Sequence, residues 1–210
     1  MKTFPWKHEA SKPVLFYPEV SKVNAGDVLE IGPGRGDLLL DLAEAMPATR
    51  FVAIELGKKR YFKLIPRIEK RALNNIQLIC GDARIVLANH FSQGEFSKIY
   101  VLFPDPWPKK RHAIKRLLNT EFIKLLSRFL TIGGDLYMAT DVDWYAMWAV
   151  ANAESVQSLK NMGNPFADES DLFSYAPTFF EQKWRAEGRS IYYMWFQRKE
   201  IASSPSTNSP

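Results

Sequence analysis

Short apolar runs that recur at a steady interval constrain the fold of this chain more than any other feature. Each run has the length and the β-branched or aromatic content of a buried strand. The runs are Val28 to Ile31, Phe51 to Ile54, Ile76 to Ile79, Ile99 to Phe103 and Leu136 to Ala139. Segments long enough for helices separate them: Leu38 to Met46, Lys58 to Leu73, Ala83 to Phe91 and Thr120 to Leu130. This alternation predicts an α/β fold with a mostly parallel sheet and helices on both faces.

Local signals set the expected boundaries of two helices. Apolar residues repeat at helical spacing up to Leu130, which predicts a helix. Thr120 is a candidate N-cap for it, and Gly133 and Gly134 are expected to end it. Pro66 lies inside the second helical segment, where proline removes a backbone donor and clashes with the preceding turn. We therefore expect a kink or a break there.

The apolar pattern weakens after Asp141. We expect a helix through Trp148 and Val156, an irregular stretch from Asn161 to Thr178, and a last strand from Ser190 to Phe196. The first 25 residues contain three prolines, and the chain ends in a run rich in Ser and Pro. The expected parts are an N-terminal arm (1–25), one folded domain (26–200) and a disordered tail (201–210).

Length and composition limit the class of protein. A chain of 210 residues suits one domain, and 46% hydrophobic with 24% charged residues excludes both disordered chains and membrane bundles. No apolar stretch approaches the roughly 20 residues that cross a bilayer, and the N-terminus is charged where a signal peptide is apolar. We expect a cytoplasmic protein without a membrane partner.

Cysteine and histidine usage excludes two kinds of site. Cys80 is the only cysteine, so an internal disulfide cannot form. His8, His90 and His112 are far apart and lack the spacing of metal ligands. We therefore expect no metal site.

A glycine-rich turn follows the first strand. The sequence Glu30-Ile-Gly-Pro-Gly-Arg-Gly36 has glycines at three alternate positions, and Gly32 and Gly34 leave room for a nucleotide to approach the backbone. Asp37 stands where the dinucleotide fingerprint G-x-G-x-x-G needs its third glycine. The spacing therefore favours S-adenosylmethionine over NAD, although a purely structural turn is the alternative.

Carboxylates follow the ends of consecutive strands. Glu55 closes the second strand and Asp82 follows the third, where a nucleotide cofactor needs groups for its ribose hydroxyls and its adenine. Taken singly, Glu55 could be a solvated strand end and Asp82 a helix N-cap. Glu30 ends a buried strand, so it should orient the turn or meet the cofactor's ammonium.

The fourth strand leads into the sequence Phe-Pro-Asp-Pro-Trp-Pro. The prolines at 104, 106 and 108 each fix φ and suppress helix, so Asp105 is held on a stiff loop. A carboxylate placed this rigidly indicates chemistry or ligand orientation. Trp107 could stack on a base or pack under the loop, and the sequence leaves both open.

Basic residues are clustered in two stretches. Five cations and His112 fall within eight positions directly after the loop: Lys109, Lys110, Arg111, Lys115 and Arg116. Beside a reactive centre, such a run can bind the phosphates of a nucleic acid. The alternative is that these residues form an ordinary solvent-exposed surface. The second stretch could equally be surface or RNA footprint: Lys58, Lys59, Arg60, Lys63, Arg67, Lys70 and Arg71.

Together these motifs resemble a known family. The ten residues FPDPWPKKRH, beside EIGPGRG, are similar to those of the bacterial tRNA (guanine-N7-)-methyltransferases, the TrmB family. The match continues through Ala139-Thr140-Asp141 and Thr178-Phe-Phe-Glu181 and covers nearly everything from Val28 to Arg198. The resemblance implies a Rossmann-like class I methyltransferase domain with a seven-stranded sheet, which methylates guanosine 46 in the tRNA variable loop.

The resemblance also implies roles for individual residues. The expected ligands of S-adenosylmethionine are Glu30, Gly32, Gly34, Glu55, Asp82 and Asp105. Asp105 is also the expected catalytic residue. The expected substrate-binding residues are Lys109, Asp141, Thr178 and Glu181. The expected RNA contacts are Arg111, His112, Lys115 and Arg116. Ile114 departs from the family, which tends to have a basic residue there.

The chemistry of the reaction is consistent with methyl transfer to guanine N7, but three other functions stay open. Guanine N7 carries an in-plane lone pair, so methyl transfer needs alignment and charge stabilisation, not a strong base. Asp105 and Asp141 could accept hydrogen bonds from the guanine or act through their field. The rivals are a methyltransferase for exocyclic amines, a non-catalytic RNA-binding protein, and an NAD-linked oxidoreductase that Asp37 disfavours. The sequence leaves monomer and homodimer open.

Overall fold

The computed structural model describes residues 14–17, 27–168 and 178–201. The strands of these residues are β1 (Leu15–Tyr17), β2 (Asp27–Ile31), β3 (Phe51–Glu55), β4 (Ile76–Cys80), β5 (Phe96–Leu102), β6 (Leu130–Thr140), β7 (Leu159–Asn161) and β8 (Tyr192–Arg198). The helices are α1 (Asp37–Ala45), α2 (Lys58–Lys70), α3 (Ala83–His90), α4 (Thr120–Phe129), α5 (Asp143–Glu154) and α6 (Phe179–Ala186). A 3₁₀ helix spans Lys110–Lys115.

All the described strands belong to one sheet with the order β1-β4-β3-β2-β5-β6-β8-β7. Strands β2 to β6 are mutually parallel, as the alternating pattern predicts, and β8 is antiparallel to both of its neighbours. The described residues give eight strands where seven were expected, because β1 adds an antiparallel strand at the edge beside β4. The rest of the arm and residues 202–210 of the tail lie outside the described residues.

The core consists of two layers, one on each face of the sheet. Successive residues of β2 alternate between them, since Leu29 and Ile31 pack with one layer and Val28 packs with the other. Helices α3, α4 and α5 cover the first layer, and α1 and α2 cover the second. Every residue of β2, β3 and β4 is buried. Their apolar runs are therefore those of central strands covered on both faces.

Two expected helix boundaries were wrong. The side chain of Asn119, not that of Thr120, caps α4 by accepting a hydrogen bond from the Phe122 amide at 3.0 Å. The helix ends at Phe129 because Leu130 turns to extended backbone and pairs with Phe96 in the sheet. The glycines at 133 and 134 therefore lie inside β6, where the β5–β6 register shifts.

The expected break at Pro66 was also wrong, since α2 runs without interruption from Lys58 to Lys70. Pro66 is exposed, so its ring points into solvent. The buried side chains of Leu64 and Ile68 hold the helix against the sheet. Within the expected irregular stretch, Asn161 instead ends β7, and residues 169–177 lie outside the described residues. In the described parts of the chain, no helix is long and apolar enough to cross a membrane.

Replacing Pro66 with alanine should stabilise the protein. The substitution restores an amide donor in the interior of α2 at an exposed position, and the expected gain in the free energy of unfolding is about 1 kcal/mol or more. Urea unfolding measures the difference. Pro47→Ala is the control, because Pro47 is exposed in a turn and no helical hydrogen bond can form there. Equal effects of the two substitutions would contradict the explanation.

Candidate functional site

A cavity of about 720 Å³ opens at the carboxyl ends of β2 to β6. Nine of the predicted site residues line it: Glu30, Gly32, Gly34, Glu55, Asp82, Asp105, Lys115, Asp141 and Thr178. The remaining predicted residues do not line it: Lys109, Arg111, His112, Arg116 and Glu181. The cavity has the size of an ordinary small-molecule site, and it lies where open parallel sheets bind their ligands.

The glycine-rich turn forms the floor of the cavity. Gly34 has φ of +58°, a conformation that favours glycine, and a Cβ added there would approach no atom closer than 3.9 Å. The space beside it is therefore free for a ligand. The Gly34 amide donates to Glu55 Oε2 at 3.2 Å, so the end of β3 fixes the turn that follows β2.

Glu55 is almost fully buried, and both of its oxygens are engaged. Oε1 accepts from the Gly57 amide at 2.6 Å and from Arg60 Nε at 3.3 Å. These bonds tie the carboxylate to the start of α2. A carboxylate fixed in this way can still accept hydrogen bonds from ligand hydroxyls through its remaining lone pairs.

Asp82 caps α3, which is the role that the sequence offered as the alternative to ligand binding. Its Oδ1 accepts from the Arg84 amide at 2.9 Å and from Arg84 Nε at 2.8 Å, and Oδ2 accepts from Arg84 Nη2. The carboxylate also lines the cavity. Capping and ligand binding are compatible here, because the cap holds the carboxylate at the cavity wall.

Glu30 is buried at the end of β2, and its Oε2 has no hydrogen-bond partner among the described residues. Burial, followed by the nearby charges of Asp37 and Glu55, raises the pKa of Glu30 to about 8. The carboxyl group is therefore largely protonated at neutral pH. A cationic ligand group in the cavity would stabilise its ionised form.

Asp105 lies on the loop between β5 and the 3₁₀ helix, exposed and lining the cavity. It makes no hydrogen bond or ion pair with any residue that the structure describes. The residues two positions before and after it, Phe103 and Trp107, have φ of +50° and +45°. Such conformations are costly for bulky side chains, so the surrounding structure must hold them.

Internal contacts hold the far side of this loop. The Arg116 guanidinium donates to the Trp107 carbonyl at 3.3 Å and lies over the rings of Trp144 and Trp148. Lys115 Nζ lies 4.7 Å from the centre of the Trp107 ring, and His112 meets that ring edge-on. Trp107 therefore packs against the 3₁₀ helix, and it also lines the cavity. Arg116, an expected RNA contact, is committed to supporting it.

The far wall of the cavity comes from β6 and α6. Asp141 accepts a 2.6 Å hydrogen bond from Arg189 Nη1, and Thr178 caps α6 by accepting from the Glu181 amide at 3.3 Å. Glu181 itself is buried behind Thr178, and its carboxylate accepts from Tyr193 and Arg185. The structure thus places Glu181 as a support of the wall, away from its surface.

Sequence reasoning missed several residues of the site. Asp37 accepts from Arg67 at 3.1 Å and from the Phe179 amide at 3.3 Å, so it joins α1 to α2 and α6. Phe180 and Trp184 of α6 line the cavity as aromatic groups. The partners of Asp37 lie 30 and 142 positions away, and no local pattern indicates them. For Phe180, the one available signal was its place in the matched segment Thr178-Phe-Phe-Glu181.

The residues present fit S-adenosylmethionine as a bound group. The fit rests on the unpartnered, buried oxygen of Glu30 for a cationic ammonium and on open space beside Gly32 and Gly34. The buried carboxylates of Glu55 and Asp82 add acceptors at the neighbouring strand ends.

Comparison with known proteins identifies the family. Residues 24–194 match the profile of a family described as "Putative methyltransferase". A tRNA (guanine-N(7)-)-methyltransferase of Geobacter metallireducens is 33% identical over 170 residues, which are 81% of this chain and 81% of that protein. One from Nitrosomonas eutropha is 38% identical over 168 residues, 80% of this chain and 74% of that protein. This chain belongs to the bacterial tRNA (guanine-N7-)-methyltransferase family.

Solved structures confirm the expected fold class of this family member. The 16S rRNA methyltransferase KamB superposes with a TM-score of 0.62 at 15% identity, over 85% of this chain and 90% of that one. NSun6 from Pyrococcus horikoshii gives a TM-score of 0.59 at 14% identity, over 83% of this chain and 48% of that one. At these identities the similarity shows the fold alone.

Glu30→Gln should stabilise the cofactor-free protein increasingly as pH rises. Between the ordinary pKa of 4.5 and the folded pKa of about 8, unfolding releases the Glu30 proton, so the wild type loses stability as pH increases. The variant lacks this loss, and its advantage should grow from about 1 kcal/mol at pH 5 to about 3 kcal/mol at pH 7.

Urea unfolding at pH 5, 6, 7 and 8 measures this difference. Glu200→Gln removes a carboxylate from an exposed position and is the control. A Glu30→Gln effect that does not change with pH would contradict the assigned pKa.

Proposed function

We propose that this chain transfers the methyl group of S-adenosylmethionine to N7 of guanosine 46 in the variable loop of tRNA. The observation that carries the proposal is the position of Asp105. Its stiff loop brings it into the same cavity as the three acidic strand ends, Glu30, Glu55 and Asp82. The curated relatives in Geobacter metallireducens and Nitrosomonas eutropha carry the name of this activity.

The cofactor would lie across the carboxyl ends of β2, β3 and β4. Bound there, it supplies an electrophilic methyl group on a sulfonium. The glycine-rich turn accommodates it closely, Glu30 meets its ammonium, and Glu55 and Asp82 accept hydrogen bonds from its hydroxyls and adenine. Because burial keeps a proton on the Glu30 carboxyl group, that group must lose the proton to pair with the ammonium.

The guanine would enter between Asp105 and the wall formed by β6 and α6. Its N7 needs no deprotonation, so the protein must align the base and stabilise the positive charge that develops on it. Asp105 suits this role, because its carboxylate has free acceptor capacity towards N1–H and the exocyclic amine. Asp141 contributes through its field and orients Arg189, which already occupies one of its oxygens.

The RNA itself would be held by the basic residues beyond the loop. Lys109, Lys110 and Arg111 are exposed, and none forms an ion pair with a described acidic residue. Cations placed next to the cavity can neutralise the phosphates that flank the target nucleotide. Lys115 and Thr178 reach the cavity and complete the substrate side. The enzyme would act in the cytoplasm.

Asp105→Asn should reduce methyl transfer at least about 100-fold, since it removes the charge that stabilises the cationic base while keeping the size of the side chain. The measurement uses bulk tRNA with labelled S-adenosylmethionine and identifies the modified nucleoside. Wild type should give N7-methylguanosine, and N6-methyladenosine would favour the exocyclic-amine rival. Cofactor binding by the variant should stay measurable by calorimetry.

The control for this substitution is Asp143→Asn, at an exposed carboxylate two positions after Asp141. It should retain activity within about threefold of wild type, because surface substitutions of this kind have small effects. Turnover near the wild-type rate in Asp105→Asn would refute the catalytic role of that residue.

Replacing Lys109, Lys110 and Arg111 together with alanine should weaken tRNA binding. Each phosphate contact adds about 0.9 to the slope of log affinity against log salt, so the slope should fall by about 2 to 3. The matched control removes three exposed lysines that do not line the cavity: Lys124 on α4, Lys160 on β7 and Lys199 after β8. If both triple variants show the wild-type slope, the basic run is a solvated face.

A further inference from the structure

Helix α2 carries an unusual charge for its position in the fold. Six of its 13 residues are Lys or Arg, and Glu69 is its one acid. Three of the cations form the first turn: Lys58, Lys59 and Arg60. The start of a helix is the positive end of its dipole, where each cation costs about 0.3 to 1 kcal/mol. These charges therefore do not serve helix stability.

The arginines of this region are committed to internal ion pairs. Arg60 pairs with Glu55 at 3.3 Å, and Arg67 pairs with Asp37 at 3.1 Å. Arg71, which follows the helix, pairs with Asp41 at 2.7 Å. Glu69 accepts a 2.6 Å hydrogen bond from the Tyr17 hydroxyl. The arginines thus join α2 to the rest of the domain.

Helix α2 has four lysines. Lys58 Nζ lies 6.0 Å from the centre of the Phe62 ring, and the other three share the outer face and form what we call the lysine stripe: Lys59, Lys63 and Lys70. All three are exposed, and none has an ion pair with a described acidic residue. At about 100° per residue, they lie within about 40° of one another around the helix axis and span about 16 Å along it. The stripe is therefore a row of three positive charges along the solvent face of α2.

The lysine stripe begins at the mouth of the cavity. Helix α2 starts three residues after Glu55, and the Asp105 loop leaves the end of β5. Strand β2 lies between β3 and β5, so these two strand ends are about 10 Å apart. The stripe therefore starts on the β3 side of the cavity, and the basic run at 109–111 follows the loop on its β5 side. A polyanion that enters the cavity can reach both.

We propose that the lysine stripe is a second binding surface for the sugar–phosphate backbone of the RNA substrate, beyond the nucleotides held at the Asp105 loop. This inference rests on the proposed function. A line of lysines spaced along 16 Å suits successive phosphates of one strand. Lysine is depleted in protein–protein interfaces, which makes an acidic protein a poorer match.

The test replaces Lys59, Lys63 and Lys70 with glutamine in the full chain, which keeps the aliphatic stems and the helix. We expect the dissociation constant for tRNA and the KM for tRNA to rise about tenfold or more at physiological salt. The slope of log affinity against log salt should fall by about 2 to 3. The kcat at saturating tRNA and the affinity for S-adenosylmethionine should change less than twofold, because no group in the cavity is altered.

The control again changes Lys124, Lys160 and Lys199, here to glutamine, so that net charge falls equally. Equal tRNA affinity and salt slope in the two triple variants would overturn the proposed role of the lysine stripe in RNA binding. The proposed function would stay intact. A wild-type protein that neither binds nor methylates tRNA would overturn the proposed function itself. A loss confined to kcat would also refute the stripe as a binding surface.

Discussion

Parallel pairing of five central strands is the constraint on which the rest of this structure depends. Because β2 to β6 run in the same direction, each delivers its last residue to the same edge of the sheet. Residues separated by dozens of positions thereby meet in one cavity. The apolar side chains of these strands are buried on both faces, so a core on each side of the sheet supports the site.

The cost of gathering carboxylates at one edge explains the arginines around it. Six acidic residues line the cavity: Glu30, Asp37, Glu55, Asp82, Asp105 and Asp141. Four of them have an arginine partner: Asp37, Glu55, Asp82 and Asp141. Glu30 avoids the repulsion by keeping its proton, and Asp105 by its exposure to water. The two carboxyl groups without such a partner are thus the ones left to respond to ligand.

The sequence predicted most of the sheet and the polar strand ends, because both depend on local patterns. Buried parallel strands appear as apolar runs. Glu30 lies near the end of the first run, Glu55 directly follows the second, and Asp82 comes shortly after the third. The expected break at Pro66 failed for a physical reason, since tertiary packing of Leu64 and Ile68 outweighs the local penalty of proline. The continuity of α2 at Pro66 therefore depends on tertiary packing and not on the local sequence alone.

The contacts that decide roles within the site were outside the reach of local patterns. Arg189 binds Asp141 across 48 positions, and Arg116 supports Trp107 only because the chain folds back through the 3₁₀ helix. A run of cations looks uniform in sequence. In the structure, Arg116 is half-buried over Trp144 and Trp148, while the side chain of Lys109 is exposed. Only the three-dimensional partners separate supporting cations from those available to RNA.

The loop that carries Asp105 shows how the fold holds a costly conformation at its reactive point. Phe103 and Trp107 adopt left-handed backbone, each at a cost of about 1 to 2 kcal/mol. Phe103 is held by its amide, which donates to the Ala139 carbonyl of β6 at 2.8 Å, and Trp107 by its carbonyl, which accepts from Arg116. Since both ends are anchored and prolines stiffen the span between them, Asp105 has little freedom to move. Its carboxylate therefore does not have to move when positive charge develops on the base. Such a fixed charge is what electrostatic stabilisation of a cationic base requires.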